Sequence, residues 1–433
     1  MTQDNPSHLS VNMKEPKDRQ PSSARRNLRR GFFVALLLGV LSSGFYFAGQ
    51  SGTSSEVYSN DFDVYYHAAS EIRAGRDPYQ NSIGDWTPYL YPPLLAECLV
   101  PLTMVSVRVA AYLWFLISAA SMLGAAWMSA DLASANDHGD NAANELISLQ
   151  DAIALSALIV VMRFSLDTFN LGQVNTIVAA LAVAHVYLYA RERKALSAVA
   201  LVLAVSIKLT PALLIIYHLS KLRLKFACAC IAIIAGVTVL SFLPFELRGV
   251  NAFQIFANRT LKNQQGYNLA DSGNQSLRGA SGRIAADEND GAGRARSPLE
   301  VVTVSIALML IAAAVFAANR ARNEVAGVAP FFCCLVLLSP LSWKAHFVIL
   351  ALPIAFLVST VFNTGSLAVA RRIALSVLVA SFVLFNLTSP RIIGLAASEW
   401  ADAHSLVTLG ALLILITSLT LNIAKFGKHP HVC

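Results

Sequence analysis

The sequence predicts an all-α protein, a polytopic transmembrane helix bundle of about 10–12 membrane segments that include a short half-helix pair. Three observations predict it. Of 433 residues, 55% are hydrophobic and 14% charged, and mean hydropathy is +0.55, so the chain has more apolar side chains than a soluble fold of its length can bury. The apolar residues come in runs close to the roughly 20 needed to cross a bilayer. Arg and Lys gather in short clusters between those runs, as orientation signals do. The net charge of +7 is therefore read as topology, and no nucleic-acid partner is expected.

Residues 1–30 are polar, rich in Pro, Ser and Asn, and end in Arg25-Arg26-Asn27-Leu28-Arg29-Arg30, which reads as a disordered cytoplasmic tail. Residues 31–48 follow as an uncleaved first transmembrane helix, longer than a signal-peptide core. The basic tail stays inside by the positive-inside rule, which puts the next loop, 50–108, outside. Within it, residues 60–75 read as a short amphipathic helix with an acidic start and a glycine stop. By helical spacing Asp61 shares a face with Tyr65, Ala68, Ala69 and Ile72, while Asp63 shares another with His67, Ser70 and Glu71. A carboxylate on the apolar face is either a helix-start residue satisfied by first-turn amides or a base held in a partly dry site. Residues 91–106 are apolar but too short to cross and interrupted by Pro92, Pro93 and Pro101, so they read either as a floor under the Asp61 helix or as an ordinary loop covering the bundle.

From there the runs alternate. Residues 109–130 return inward, 150–166 go out, 167–172 turn outside, and 173–190 return to the basic cluster Arg191-Glu192-Arg193-Lys194. Residues 195–220 have basic clusters at both ends, so both ends belong inside. One helix cannot satisfy that, and two half-helices are predicted, 195–207 and 211–220, with Lys208-Leu209-Thr210-Pro211 at the outer apex and Pro211 starting the returning half. Residues 226–244 go out, 246–298 form a long external loop whose 278–296 stretch is expected to be mobile, and 299–318 return. The remaining runs are 325–339, 347–361, 373–388 and 404–424, with 425–433 an inner tail. The membrane domain is thus 31–424. The six cysteines, Cys98, Cys228, Cys230, Cys333, Cys334 and Cys433, lie mostly in apolar runs and imply neither a disulfide framework nor a zinc site.

The same alternation collects the unusual polar residues at the outer side: Asp61, Asp63, Tyr65, Tyr91, Gln173, Asn175, Lys208, Asn274, Gln275, Trp343, Lys344 and His346. An ionisable side chain at membrane depth costs about 3 kcal/mol or more, so such residues usually serve function. Lys208 reads either as a phosphate ligand or as a snorkelling cation, Trp343 as a sugar platform or an interface anchor, and Gln173 and Asn175 as sugar ligands or helix contacts.

Asp61-Phe62-Asp63-Val64-Tyr65-Tyr66, then Gly75, Pro78-Tyr79 and Tyr91-Pro92-Pro93, resemble the first outer loop of glycosyltransferase family 87, of the GT-C membrane fold. Gly172-Gln173-Val174-Asn175, Lys208-Leu209-Thr210-Pro211, Asn274-Gln275-Ser276-Leu277 and the stretch Ser339-Pro340-Leu341-Ser342-Trp343-Lys344-Ala345-His346 are similar to its later motifs, in the same order. The resemblance, over roughly residues 30–360, implies a polyprenyl-phosphate sugar donor, Asp61 as catalytic base and His346 as an active-site residue. The family motif often has two histidines near the Trp; here one neighbour is Phe347.

The chemistry fits independently. A lipid-linked sugar phosphate leaves as an anion and needs positive charge more than a proton donor, so one general base, Asp61, and one or two cations suffice, Lys208 holding the phosphate and His346 or Lys344 adding a further donor. Asp63, Tyr65, Tyr91, Gln173, Asn175, Asn274, Gln275 and Trp343 are the expected substrate contacts. Asp61 and Asp63, two apart on a helix, point to different faces, so no metal and no cofactor are expected. The expected function is transfer of a mannose-like hexose to an extracytoplasmic glycan or glycolipid by a multi-pass protein of a bacterial plasma membrane, among membrane lipids. The other class is a transporter or flippase, but no internal repeat is visible and the polar motifs avoid the midplane.

Overall fold

In the computed structural model, residues 39, 42–51, 60–79, 89–135, 148–266, 269–285, 298–363 and 365–424 are described. Among them every regular element is helical. Six helices are long and apolar enough to cross a membrane, and one pair bent at a break passes the same test only when taken together. With the shorter apolar helices Asn175–Ala190, Lys194–Ile207, Thr210–Ser220 and Glu324–Leu337, the chain is the expected multi-pass helical membrane bundle. The tails at 1–30 and 425–433 lie outside the described residues.

Helix α1 (Asp61–Arg73) starts where it does because Asn60, in extended backbone, accepts a hydrogen bond from the Asp63 amide at 3.1 Å. Asp61 and Asp63 in its first turn complement the helix dipole. The apolar floor is present as α2 (Pro93–Leu99) and a 3-10 turn, Val100–Met104. Arg73 donates to the Thr103 carbonyl at 2.6 Å and Tyr66 to the Val105 carbonyl at 2.9 Å, tying α1 down on it. Behind α1 stands α3 (Val107–Ser134), a 28-residue helix. Its Trp114 ring lies 5.7 Å from Phe62 and 5.9 Å from Tyr65.

The outward run at 150–166 differs from expectation. It is α4 (Leu149–Val160) followed by α5 (Met162–Leu171), bent by 62°. The break leaves backbone groups open inside the bundle, and Asn386 closes them. Its side-chain oxygen accepts from the Arg163 amide at 3.1 Å and its nitrogen donates to the Val160 carbonyl at 2.9 Å. Arg163, only 7% exposed, donates to the Phe385 carbonyl and the Thr388 hydroxyl. Phe164 fills the elbow between Phe347 and Phe385, at 5.5 and 4.9 Å.

The half-helix pair is present as predicted. Helix α6 (Asn175–Ala190) leads by a tight turn into α7 (Lys194–Ile207), and a 3-10 turn, Thr210–Ala212, with Pro211 starts α8 (Leu213–Ser220). The two basic ends meet. Arg191 and Lys221 line one cleft with Asp131, Arg322 and Glu324, and His185 of α6 bridges the Ser197 hydroxyl of α7 and His218 of α8, each at 2.9 Å. At 1.5 Å per residue, α6 carries the chain roughly 24 Å from that cleft to Asn175 and Lys208. Basic turns thus gather at one end of the bundle and Lys208 lies at the other.

The first part of the 278–296 stretch lies in a helix, Leu277–Ala285. Arg283 holds it, donating to the carbonyls of Asp271 (2.7 Å) and Asn274 (2.9 Å) and to the Ser405 hydroxyl (2.6 Å). Gly- and Ala-rich composition argued against order; tertiary hydrogen bonds override weak propensity. Residues 286–296 lie outside the described residues.

Candidate active site

The site is assembled where three links between helices meet the start of α1. The first is the link from α5 to α6. Helix α5 ends on Gly172, whose φ of 63° is the left-handed conformation of a glycine stop, and the Gln173 amide returns to the Thr168 carbonyl at 3.0 Å. The Gly172 carbonyl accepts the Trp114 indole N–H at 2.9 Å. A Cβ on Gly172 would stand 2.9 Å from the Cβ of Phe62 and 3.1 Å from its backbone nitrogen. This close approach sets Gln173 beside Asp61, the residue before Phe62.

The second link is the apex of the half-helix pair. Lys208 ends α7 in extended backbone, and its ammonium donates to the Asn175 side-chain oxygen at 2.7 Å. It also meets His346 Nε2 at 2.9 Å. His346 comes from the third link, a 3-10 turn over Lys344–Leu350. A second hydrogen bond joins its ring to the Leu341 backbone. A lysine ammonium only donates, so Nε2 is the acceptor and the imidazole is neutral with its proton on Nδ1. Asn175 Nδ2 donates to Gln173 Oε1 at 2.5 Å, and the Gln173 side chain lies beside the Asp61 carboxylate. Burial pushes the Asp61 carboxyl above its ordinary value, while the polar Gln173 side chain and then the charge of Lys208 pull it part of the way back. Of the residues expected at the site, Gln173, Asn175, Lys208 and His346 are therefore joined by hydrogen bonds, with Asp61 beside them. A cavity of about 20 Å³ beside Lys208, Asn175 and His346 has room for a water molecule but not for a sugar phosphate.

Tyr65 extends the site along α1. Its hydroxyl donates to that of Tyr91 at 3.1 Å, with the rings edge to face at 5.2 Å. Asp63 is 7% exposed and, two residues on, faces away from Asp61.

The other expected residues stand elsewhere. Lys344 does not line the cavity; its ammonium pairs with Asp402 at 2.6 Å. Asn274 and Gln275 are fully buried, and their amides are used within the protein. Asn274 accepts from the Ser276 and Ser342 amides and donates to the Leu269 and Pro340 carbonyls. Gln275 donates to the Ser272 and Asp402 carbonyls and accepts from Thr408. Both act as a latch between the long loop and the turn that carries His346. Trp343 lies over Gly273, where a Cβ would come within 2.5 Å of its ring. Sequence reasoning missed Asn60, Trp114, Gly172 and Asn386. Only Gly172, inside a quoted motif, carried a signal. Among the described residues no group of three or more His, Cys, Asp or Glu side chains is placed to hold a metal.

Comparison with known proteins gives a consistent result. The sequence model of Glycosyltransferase family 87 matches residues 89–340, more than half of the chain, a range that includes Lys208 and stops short of Asp61 and His346. Two mycobacterial proteins are similar to it, each named a polyprenol-phosphate-mannose-dependent alpha-(1-2)-phosphatidylinositol pentamannoside mannosyltransferase. That of Mycobacterium tuberculosis (strain CDC 1551 / Oshkosh) is 27% identical over 336 residues, covering 76% of this chain and 73% of the relative. That of Mycolicibacterium smegmatis is 28% identical over 298 residues, 66% of either chain.

Proposed function

The chain belongs to glycosyltransferase family 87, and from that premise we propose that it transfers a mannose-like hexose from a polyprenyl-phosphate donor to a glycan or glycolipid acceptor, inverting the anomeric centre, with Asp61 as general base. The observation that carries this reading is the convergence of Asp61 with Lys208 and His346. The cluster sits at the end of the bundle opposite the basic turns, and the positive-inside rule then supports an extracytoplasmic site. The names of the two relatives support the donor and a glycolipid acceptor.

In the proposed step the acceptor hydroxyl attacks the anomeric carbon as Asp61 takes its proton, and the bond from that carbon to the phosphate oxygen breaks. Polyprenyl phosphate leaves with the electron pair, its charge met by Lys208. His346 orients the Lys208 ammonium through Nε2, and Lys344, paired with Asp402, supports the turn. A carboxylate raised in pKa by burial is the stronger base, and base assistance of this kind is worth about 10²- to 10⁴-fold. No metal is required.

The test is purified protein in lipid nanodiscs with a panel of polyprenyl-phosphate sugars, a nucleotide sugar and excess chelator. Wild type is expected to transfer from polyprenyl-phosphate mannose, not from the nucleotide sugar, with no loss in chelator; a β-linked donor gives an α-linked product. Asp61→Asn is expected to lose about 10²- to 10⁴-fold. Equal transfer by Asp61→Asn removes the base, and absence of transfer from every lipid donor removes the reading.

A further inference from the structure

The bundle has a second polar cavity, at the end away from Asp61. It encloses about 420 Å³, within the range of small-molecule sites. Its walls come from the last turn of α3, the turn between α6 and α7, the end of α8, and the link between the helices Pro298–Arg320 and Glu324–Leu337. Arg191, Lys221 and Arg322 line it, with Asp131 and Glu324. Both carboxylates are already matched by cations. Asp131 pairs with Arg191. Glu324 takes the guanidinium of Arg223, which lies over the Tyr189 ring at 4.4 Å, and accepts the Tyr217 hydroxyl at 2.6 Å. Lys221 donates to the Ala318 carbonyl, a neutral partner that leaves its charge uncancelled. The helix Glu324–Leu337 starts here with Asn323 as its cap, so the positive end of its dipole adds to the same field. Among the described residues the cations Arg191, Lys221, Arg223 and Arg322 thus outnumber the carboxylates Asp131 and Glu324, and the cavity is built for an anion.

Aromatic side chains set the depth of this cavity. Trp127, one turn before Asp131 on α3, is 48% exposed, and its ring lies 6.0 Å from that of Tyr187, one turn before Arg191 on α6. The Arg191 guanidinium stands over the Tyr187 ring at 5.0 Å. Phe316, also 48% exposed, lies under the Arg320 guanidinium at 4.5 Å, just before the cavity wall. Exposed aromatics on several helices at one level, with cations beyond them, mark a membrane–water boundary. Four residues of helix carry the chain about 6 Å further, which puts the cavity at the level of the phospholipid headgroups. We propose that this cavity binds the phosphate of an anionic phospholipid from the leaflet on the side of the basic turns, with Lys221 and Arg322 as its charged ligands. Basic pockets between membrane helices suit such headgroups. A lipid held there joins four helix ends, and it stabilises the bundle because it binds only the folded chain. The site stands apart from the transfer chemistry, roughly the 24 Å length of α6 from Lys208.

The test needs no sugar substrate. The full chain in neutral detergent is titrated with phosphatidylglycerol, phosphatidylcholine and soluble glycerol phosphate, and followed by thermal unfolding and native mass spectrometry. Phosphatidylglycerol is expected to raise the unfolding temperature and to be retained one to one, an effect that added salt weakens. Lys221→Gln and Arg322→Gln are each expected to weaken its binding about fivefold, and the double variant about 25-fold. Arg372→Gln removes an exposed arginine that does not line the cavity, and it should bind as wild type does. Equal retention of phosphatidylcholine, or as large a loss in Arg372→Gln as in the cavity variants, means that binding follows surface charge at large and overturns the proposal. An equal shift with glycerol phosphate alone assigns the cavity to a soluble phosphate and also overturns it. Should a cavity variant fold poorly, the lipid retained by its folded fraction in native mass spectrometry still decides, and wild-type retention there refutes the site.

Discussion

Gly172→Ala isolates the contact that sets Gln173 against Asp61. Two costs add. At a φ of 63° a residue with a side chain loses about 1–2 kcal/mol. The new methyl would also lie 2.9 Å from the Phe62 Cβ and 3.1 Å from its backbone nitrogen. Backbone cannot rotate aside as a side chain can, so α1 must move by a few tenths of an ångström, and overpacking of this kind costs about 1–3 kcal/mol. The sum is about 2–5 kcal/mol of stability. Because Asp61 precedes Phe62, the displacement is passed to the base, and misplacement by up to 1 Å costs up to about 100-fold in rate. A loss of about 10- to 100-fold in kcat, with KM little changed, is expected. Gly249→Ala is the control, with a φ of 77° and nothing within 4 Å of its Cβ, so it carries the strain without the collision. Thermal unfolding in detergent and the rate of transfer from a polyprenyl-phosphate sugar are measured for both. If the two variants match in kcat, the contact does not position the base and the reasoning fails.

The remaining predictions concern stability. The folded Asp61 pKa is raised, so the stability tied to its proton is present at low pH and lost as pH rises through the folded value. Asp61→Asn should therefore unfold at higher temperature than wild type at pH 8, with the gap closing towards pH 4; a gap that does not change with pH refutes the sign. Asn386→Leu strands the Arg163 amide and the Val160 carbonyl, at about 1–3 kcal/mol each, and a shift in thermal unfolding below 1 kcal/mol would show the elbow closed by other means. Leu222 turns between α8 and the next helix at a φ of 55° while 81% exposed. Leu222→Gly should raise stability by about 1 kcal/mol, read as a higher unfolding temperature at unchanged transfer rate.

What could be read in advance follows from the range of the interactions involved. The half-helix pair was legible because two basic clusters flank a run that can cross only an even number of times, and Pro211 marks where the second half starts. Asp61 stood out because a carboxylate on an apolar face is costly. The elbow at Val161 was not legible, since the side chain that completes it is 223 residues away from Arg163. Lys344 looked like a free cation because its partner Asp402 lies 58 residues later in the chain. Asn274 and Gln275 looked like sugar ligands for a related reason. A buried amide and a substrate-binding amide are the same residue in a sequence, and only the carbonyls around them tell the two apart.

The dependence of the elbow on Asn386 has a consequence for biogenesis. As the nascent chain enters the bilayer, the bend between α4 and α5 emerges long before the residue that satisfies it, and Lys208 likewise precedes His346 by 138 positions. The early helices therefore reside in lipid with unmet polar groups until translation is nearly complete, a state suited to capture by an insertion chaperone. Of the groups around the base, only His346 comes from the last third of the chain, so Lys208 meets its imidazole partner late in synthesis.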